Sequence, residues 1–251
     1  RIATVAFLDG GDWGGANLAL TMTTEGVLSG SKTFVGCGHE ASLILVVGQC
    51  DNAPAIAVVD AADLKAGAIS VNTLIDLTKR TAQIDFTGVP AKAVLTGEHV
   101  VAAIRDYRLL GALLTAAEAA GSAARCLAVI VDYLKTRKQF GKLIGSYQAL
   151  KHPTVDIYCG VEDARSFCYH AASLLDADSL SHDAEIACRM AKVSAGQTMS
   201  YAGDRAVQFH GGIGFTWDCD STLFIRRGQW SHQVFGDAIH HRKRLASLLL
   251  D

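Results

Sequence analysis

The sequence predicts an α+β protein in which a small antiparallel β domain, a barrel or a sandwich, is followed by an up-and-down helical bundle. Up to about residue 97 the chain consists of short β-branched runs separated by turn residues. After residue 100 the apolar residues recur at the three- and four-residue spacing of an amphipathic helix. We therefore expect a β domain over residues 1–100 and a helical bundle domain over residues 101–251.

Six runs in the first part have the length and composition of β-strands. They cover residues 2–8, 18–23, 33–35, 43–47, 55–59 and 83–86. The turns between them are marked by Asp9-Gly10-Gly11, Gly14-Gly15, Glu25-Gly26 and Asp51-Asn52. No helix-length segment separates consecutive runs, and this favours an antiparallel domain.

The second part predicts long helices with short connections. The helices cover residues 104–136, about 147–176, about 183–207, 220–229 and 238–249. A loop around residues 140–146 follows the first helix. Pro153 requires the second helix to begin near it, and the glycines at positions 211, 212 and 214 end the third. This order predicts a bundle of about four antiparallel helices.

The composition is that of a globular chain with one or two domains. Of the 251 residues, 50% are apolar and 19% are charged, the formal net charge is −2 and the mean hydropathy is +0.23. The apolar fraction excludes a disordered protein, and the charge balance argues against nucleic-acid binding. Uncharged stretches such as 41–50 and 109–117 are about half of the roughly 20 residues that a membrane span needs, so no span is expected.

The seven cysteines form no Cys-x-x-Cys pair. This predicts reduced core thiols in a cytoplasmic protein rather than a disulfide framework. No His, Cys and Asp spacing predicts a metal site, and we identify no signal peptide.

Positive charge is concentrated at the junction between the first two predicted helices. Between residues 132 and 156 the chain has no acidic residue and five basic ones, which are Lys135, Arg137, Lys138, Lys142 and Lys151. Such a local excess suits a phosphate or diphosphate, which Arg binds through paired hydrogen bonds and Lys as a point charge. The alternative is a solvated helix end, where cations also complement the helix dipole.

A glycine-rich segment, Gln208-x-x-Gly211-Gly212-x-Gly214-Phe215, follows the third predicted helix. It lacks the preceding strand and following helix of a Rossmann dinucleotide signature, and glycines after a helix usually form only a cap and a turn. A glutamine beside bare backbone is nevertheless suited to contact a base or a ribose. We expect His210 to orient this loop rather than to bind a metal.

Together the two segments resemble the acyl-CoA dehydrogenase family. The first has the family's spacing Tyr-x-x-x-Arg-x-x-Phe-Gly-x-x-Ile-x-x-x-Gln at Tyr133, Arg137, Phe140, Gly141, Ile144 and Gln148, and the second matches at Gln208, Gly211, Gly212, Gly214 and Phe215. The β region matches more loosely. Residues 28–35 resemble a family hairpin, and Phe86-x-x-Val89-Pro90 resembles the strand that leads into the bundle.

This resemblance implies FAD chemistry on an acyl-CoA thioester. A glutamate removes the α-proton while a hydride passes from the β-carbon to the flavin. In the family the FAD lies across a dimer interface, where one chain's β domain holds the flavin ring and the other chain's bundle holds the diphosphate and adenine. Carried over by motif, the ADP half would be held by Arg137, Phe140, Gln148, Gln208, Gly211 and Gly212.

The sequence departs from the family at the catalytic base, at the motif for the flavin ring and at the N-terminal domain. The two places where relatives carry the catalytic glutamate fall at Gly111 and Phe235, neither of which can accept a proton. The motif that cradles the flavin ring is replaced over residues 6–11 and 34–36, and the sequence has no counterpart of the family's N-terminal helical domain.

Two acids are candidate substitutes for the missing base, which must reach the thioester from a desolvated pocket. Glu118 lies two turns beyond Gly111, and Asp237 lies two residues beyond Phe235. The structural alternatives are an interhelix contact for Glu118, and a cap or a salt bridge to Arg242 for Asp237. His240 and His241 are expected to form a basic solvated face, with a phosphate contact to coenzyme A or FAD as the alternative.

These observations predict a division of labour between two chains. The sequence resembles the non-catalytic subunit of the heteromeric α2β2 acyl-CoA dehydrogenases of actinobacterial sterol side-chain breakdown, in which a catalytic partner chain carries the base and the flavin pocket. The alternatives are a self-sufficient homo-oligomeric dehydrogenase that uses Glu118 or Asp237 as its base, and a structural or adaptor subunit without flavin. We expect no catalytic residue and no metal in this chain.

Overall fold

The computed structural model describes residues 2–10, 13, 18–175 and 180–250. The chain divides into two compact units, Arg1–Tyr107 and Arg108–Asp251. The predicted turn at Gly14-Gly15 lies outside the described residues, as does Gly11 of the turn that begins at Asp9.

The first unit is built from two sheets. Its strands are β1 (Ala3–Ala6), β2 (Thr21–Met22), β3 (Leu28–Ser29), β4 (Ser31–Gly36), β5 (Leu43–Cys50), β6 (Ala53–Asp60), β7 (Ile69–Val71), β8 (Thr81–Asp85) and β9 (Ala93–Leu95). The larger sheet has the order β3-β2-β5-β6-β9, with β1 also paired to β5, and the smaller one has the order β4-β8-β7. Alternate residues of β6 (Ala55, Ala57 and Val59) are buried in the core, as a two-residue strand period requires.

The second unit is helical. It contains the greater part of α1 (Glu98–Thr136), followed by a hairpin of β10 (Lys138–Gln139) and β11 (Lys142–Leu143), then α2 (Gln148–Ser173), α3 (His182–His210), α4 (Ser221–Gln233) and α5 (Ala238–Leu250). The predicted fold class, a β domain followed by a helical bundle, is therefore confirmed. Pro153 lies in the second turn of α2, a little deeper than expected.

One detail of the predicted sheet is wrong. β1 and β2 both run parallel to β5, with Ala3 opposite Leu43 and Thr21 opposite Gln49, so the larger sheet is mixed rather than antiparallel. An alternating pattern identifies a buried face but carries no information on strand direction. The connection from β1 to β5 is long enough for a parallel crossover because β2, β3 and β4 lie within it.

The two looser matches in the β region are also corrected. Residues 28–35 do not form a hairpin, because Gly30, at φ +124°, passes the chain from β3 in one sheet to β4 in the other. A Cβ at Gly30 would lie 3.2 Å from the Cα of Leu20. Phe86 to Pro90 forms a turn rather than a strand, since β8 ends at Asp85 and Gly88 has a φ of +76°.

Close helix packing forms the core of the second unit. The buried face of α3 is lined largely by small residues, including Ala187, Ala191 and Ala195. A Cβ at Gly160 of α2 would lie 2.8 Å from the hydroxyl of Thr198, and one at Gly203 of α3 would lie 2.7 Å from the Cα of Ile225. Small residues therefore set the distances from α3 to α2 and α4.

Helix α1 is the one described helix that is long and apolar enough to cross a membrane on length and composition alone, with a mean hydropathy of 1.4 over its most apolar window. Counting uninterrupted uncharged residues missed this helix, because Glu118 breaks the run. Its apolar residues, such as Leu109, Ala116 and Ile130, are buried in the bundle core. Of that window 39% is buried, whereas Leu110 and Leu114 are exposed.

The seven cysteines are all free, but they are not all core thiols as predicted. Cys50, Cys126, Cys168 and Cys188 are buried, and burial raises the pKa of Cys126 to about 12. Cys37 and Cys159 are exposed, because the alternation of apolar residues does not distinguish a buried cysteine from one in a turn or on an outer helix face.

A buried ion pair organises the β unit. The side chain of Lys32 is 0% exposed, and its ammonium lies 2.8 Å from the Asp9 carboxylate and donates to the Phe7 carbonyl at 2.8 Å. Asp9 also accepts the backbone N–H groups of Ala19 and Leu20, each at 3.0 Å. Burial lowers the pKa of Lys32, while the hydrogen bond and charge of Asp9 raise it. The pair thus ties β4 to the segments that follow β1 and precede β2.

We expect Asp9→Asn to lower the free energy of unfolding by roughly 3–5 kcal/mol, because it leaves the Lys32 ammonium buried without a counter-charge. Urea denaturation followed by circular dichroism measures this loss. Asp60→Asn is the matched control: it breaks the 2.6 Å pair with the half-exposed Lys92 and should cost at most about 1 kcal/mol. Equal losses in the two variants would contradict the prediction.

Candidate functional site

A pocket of about 510 Å³ lies in the second unit, between the connection from α1 to α2 and the end of α3. Its lining residues are Tyr133, Arg137, Gln139, Phe140, Ile144, Tyr147, Ala149, Leu150, Gln208, Phe209, His210, Gly211 and Gly212. The tertiary structure thus brings together the two segments that the sequence singled out. We call this cavity the α1–α3 pocket.

Five of the six predicted cofactor residues line the α1–α3 pocket: Arg137, Phe140, Gln208, Gly211 and Gly212. The sixth, Gln148, does not. It is the first residue of α2 and is exposed, while its neighbours Tyr147 and Ala149 face the pocket.

A tight hairpin positions the first segment. Lys138 pairs with Leu143 and Gln139 with Lys142, so that the turn consists of Phe140 and Gly141. Both turn residues have positive φ, +53° and +80°, as a two-residue type I′ turn requires. A positive φ is unfavourable for a bulky residue such as Phe140. Its side chain is 90% exposed at the edge of the pocket.

Bare backbone forms the facing wall. Helix α3 ends at Gly211, which has a φ of +63°. A Cβ at Gly211 or Gly212 would meet no atom within 4 Å, so these two glycines leave open space for a ligand. At Gly214 close packing excludes a side chain, because a Cβ there would lie 2.5 Å from the Val207 carbonyl oxygen.

Stacked rings connect the two walls. Tyr133 and His210 lie with their ring centroids 4.2 Å apart and their planes at 25°. The Nδ1 of His210 is 2.7 Å from the carbonyl oxygen of Ala206, so Nδ1 is the donor in this hydrogen bond. The sequence did not predict that Tyr133 would line the pocket, although it lies four residues before Arg137, whose backbone N–H donates to the Tyr133 carbonyl at 2.9 Å just beyond the end of α1.

The segment that forms one wall of the pocket is rich in positive charge. The five basic residues of this region are exposed, and in the described part of the chain none of them forms an ion pair. Arg137 lines the pocket itself, and the ammonium of Lys142 lies 5.1 Å from the centre of the Tyr147 ring. Uncompensated cations around a concave surface favour an anionic ligand.

The two positions where the resemblance implies a catalytic base lie against each other. A Cβ built on Gly111 would be 2.3 Å from Cε1 of Phe235. Phe235 has a φ of +61°, which is rare for an aromatic residue, and the next residue, Gly236, has a φ of +100°. Within the second unit, therefore, the Phe235 ring fills the space that a side chain at position 111 would occupy.

Both candidate substitute acids have structural partners. The Glu118 carboxylate forms an ion pair with the guanidinium of Arg227, an interhelix contact between α1 and α4. Asp237 accepts the backbone N–H of His240 at 2.7 Å and thereby caps the start of α5. Arg242, the alternative partner considered for Asp237, donates instead to Gln197 at 2.9 Å.

The prediction of a basic solvated face is wrong for His241, whose side chain is buried. Its Nε2 is 3.0 Å from the Phe235 carbonyl oxygen, and its Nδ1 lies 3.3 Å from the Arg189 guanidinium. Arg can only donate, so Nδ1 accepts and Nε2 donates in a neutral ring. Burial, together with the charges of Lys192 and Arg189, lowers the pKa of His241 to about 3.

Lys192, which the sequence analysis did not single out, is buried in the middle of α3. Its ammonium donates three hydrogen bonds, to the carbonyl oxygens of Ser231 at 2.7 Å, His232 at 3.1 Å and Gly236 at 3.0 Å. Burial lowers the pKa of Lys192 to about 8. The available signal was a lysine between Ala191 and Val193 in a helix rich in alanine, since a long cation on a buried face needs buried partners.

Comparison with known proteins identifies the family. Residues 109–246, more than half of the chain, match the family model of the acyl-CoA dehydrogenase C-terminal domain. The chain belongs to the acyl-CoA dehydrogenase family. Members of this family are FAD-dependent flavoproteins, and among the described residues no group of three or more His, Cys, Asp or Glu could hold a metal ion.

Several mycobacterial acyl-CoA dehydrogenases are similar to this chain. It is 35% identical over 171 residues to IpdE2 of Mycolicibacterium smegmatis, which covers 68% of this chain and 50% of that protein. It is 32% identical over 229 residues to FadE12 of Mycobacterium tuberculosis, with coverages of 86% and 54%. The chain therefore spans about half the length of these relatives.

Solved structures share the fold. The ChsE4-ChsE5 complex from Mycobacterium tuberculosis matches with a TM-score of 0.84 and 26% identity, over 100% of this chain and 67% of that chain. Butyryl-CoA dehydrogenase from Megasphaera elsdenii matches with a TM-score of 0.86 at 22% identity, over 100% of this chain and 68% of that chain. The chain thus covers about two thirds of each of these two solved structures.

The neutral state of His241 makes stability depend on pH. Its pKa is lower in the folded chain than in the unfolded chain, where it is near 6.5, so the stability that it contributes is present above pH 6.5 and is lost as the pH falls towards 3. As the pH is lowered, we expect the free energy of unfolding to fall in both the wild type and His241→Gln. The slope should be steeper in the wild type, by up to roughly 1.4 kcal/mol per pH unit. The glutamine amide can donate to Phe235 and accept from Arg189 without titrating.

Urea denaturation at intervals from pH 7 to pH 4 measures these slopes. His152→Gln, on the exposed side of α2, is the matched control and should keep the wild-type slope. A His241→Gln slope that equals that of the wild type would contradict a buried neutral histidine.

Proposed function

We propose that this chain is a subunit of a FAD-dependent acyl-CoA dehydrogenase, that it completes the FAD site of a catalytic partner chain, and that it supplies no catalytic base. The observation that carries the proposal is an asymmetry within one unit. The α1–α3 pocket retains the residues suited to the ADP half of FAD, while the two family positions for the base hold Gly111 and Phe235.

The pocket residues fit a nucleotide diphosphate. Arg137 makes no ion pair in the described part of the chain and lines the cavity, so its guanidinium is available for a phosphate. Gly211 and Gly212 leave their backbone open to a ligand, and Gln208 is placed beside them to donate to or accept from a base or a ribose. The exposed ring of Phe140 provides an apolar face at the edge.

Within this proposal the roles of the two chains are separate. Bound FAD supplies the hydride acceptor for α,β-dehydrogenation of an acyl-CoA thioester. This chain binds and orients the ADP portion through Arg137 and the glycine wall, and it moves no proton itself. Glu118 and Asp237 are poor candidates for proton abstraction, because the first is held by Arg227 and the second caps α5.

The relatives favour a heteromeric assembly and a steroid-derived substrate. The ChsE4-ChsE5 structure is named as a complex, and the matching Tcur3481-Tcur3483 structure is named as a steroid acyl-CoA dehydrogenase, with a TM-score of 0.83 and 26% identity. We extend both features to this chain: an α2β2 heterotetramer acting on a sterol side-chain acyl-CoA in the cytoplasm, where free thiols stay reduced.

Co-expression tests the proposed partnership. The chain is produced alone and with the product of the neighbouring gene, and each preparation is assayed for flavin absorbance and for acyl-CoA-dependent reduction of an electron acceptor. We expect FAD and activity only in the co-purified complex. A lone chain that purifies yellow and dehydrogenates acyl-CoA would refute the division of labour.

Arg137→Met should weaken FAD binding by the complex by roughly 10- to 100-fold, since a charge-assisted hydrogen bond contributes about 1.5–3 kcal/mol. Fluorescence titration of the apo-complex with FAD measures the dissociation constant. Lys151→Met is the matched control, because Lys151 is an exposed cation of the same segment that does not line the pocket. Unchanged FAD content in Arg137→Met would favour the flavin-free adaptor alternative.

Glu118→Gln and Asp237→Asn separate the proposal from a self-sufficient enzyme. Glutamine disrupts the partly exposed ion pair with Arg227 and should cost at most about 1 kcal/mol of stability, and asparagine can still cap α5. We therefore expect the turnover number of the complex to stay within about twofold of wild type in both variants. A loss of turnover by 100-fold or more in either one, with the fold intact, would identify that residue as the base.

A further inference from the structure

We propose that Phe235, which occupies one of the two family positions for the base, is a steric plug that fills the side-chain volume of the other, position 111, and so excludes a carboxylate there. This inference rests on the proposed function, because the significance of the two positions comes from the family. It goes beyond that function in one respect: packing excludes an acidic side chain from position 111, so that a glutamate restored there alone would not recover the base.

The steric evidence is specific to one pair of residues. A Cβ at Gly111 would meet three ring atoms of Phe235, at 2.3, 2.4 and 2.6 Å, and real Cβ atoms do not approach other atoms so closely. Elsewhere on the same helix, a Cβ at Gly121 would meet nothing within 4 Å. Of these two α1 glycines, only Gly111 lies so close to a neighbouring side chain that a larger residue would clash with it.

The backbone that carries the ring is held from several directions. The carbonyl oxygen of Phe235 lies 3.0 Å from Nε2 of His241, and that of the next residue, Gly236, accepts from the buried Lys192 ammonium. A Cβ at Gly236 would lie 2.7 Å from Cδ2 of His240, so the turn is also closely packed from the side of α5. The same hydrogen bonds hold Phe235 at its positive φ.

Charged groups hold the turn through its backbone. Lys192 also donates to the carbonyls of Ser231 and His232, at the end of α4, and Asp237 is committed to the N-terminus of α5. These charged groups thus stabilise the backbone that carries the ring, and the ring occupies the space beside Gly111.

A thermal double-mutant cycle on the full chain tests the plug. The four proteins are wild type, Gly111→Ala, Phe235→Ala and the double variant, and the melting temperature of each is measured by differential scanning calorimetry. In the wild-type background we expect Gly111→Ala to lower the melting temperature by roughly 5 °C or more, because it overpacks the site. With the ring removed, the same substitution should raise it by about 2–4 °C, since alanine is the better helix former.

Gly121→Ala is the matched control and should raise the melting temperature by about 2–4 °C in both backgrounds. If Gly111→Ala does not fold at all, recovery of folding in the double variant is the expected result. A stabilising Gly111→Ala in the wild-type background, equal effects in both backgrounds or a double variant that does not recover would each overturn the proposal.

A second arm introduces the carboxylate itself. Gly111→Glu should be strongly destabilised or insoluble alone and should fold when combined with Phe235→Ala, whereas the plug is refuted if Gly111→Glu melts at the wild-type temperature. Neither arm depends on flavin or on the partner chain. A failed cycle therefore rejects the plug alone, while failure of the co-purification and Arg137 experiments rejects the proposed function.

Discussion

The hydrogen bonds from the Lys192 ammonium to three backbone carbonyls hold the end of the helical unit together. Helix α3 carries the lysine, and the carbonyls belong to the end of α4 and to the turn before α5. A buried ammonium without partners is very costly, so each of these carbonyls must stay in place for the fold to be stable. The turn that contains Phe235 and Gly236 is thereby fixed, and with it the start of α5 and the ring that lies on Gly111.

The β unit stabilises a buried cation differently. Lys32 pairs with a carboxylate, Asp9, and also donates to a carbonyl. The three hydrogen bonds described for Lys192 go to carbonyls, and burial lowers its pKa to about 8 although the charge of Asp237 acts in the opposite direction. The difference follows from the surroundings. Asp9 lies beside a loop whose N–H groups it also binds, while α3 is packed through small residues that leave room only for backbone.

The α1–α3 pocket and the Phe235 turn place two functions on one helix. The C-terminal end of α3 contributes Gln208 and His210 to the pocket, and its middle contributes Lys192 to the turn. The pocket is open, cationic and lined by bare glycine backbone, whereas the turn is packed and closed. Such a contrast is what a chain needs if it binds part of a cofactor and leaves the chemistry to a partner.

The sequence by itself determined the fold class, the positions of the five helices and five residues that line the pocket. Helical periodicity, turn residues and glycines at helix ends are local features, so they can be read directly from the chain. Only the tertiary structure decided the direction of β1 and β2, the burial of His241, the role of Lys192 and the exposure of Gln148. It also decided that Gly111 and Phe235 touch. These properties depend on which distant segments pack together, and neither periodicity nor residue type records that a ring far along the chain occupies the space beside a glycine.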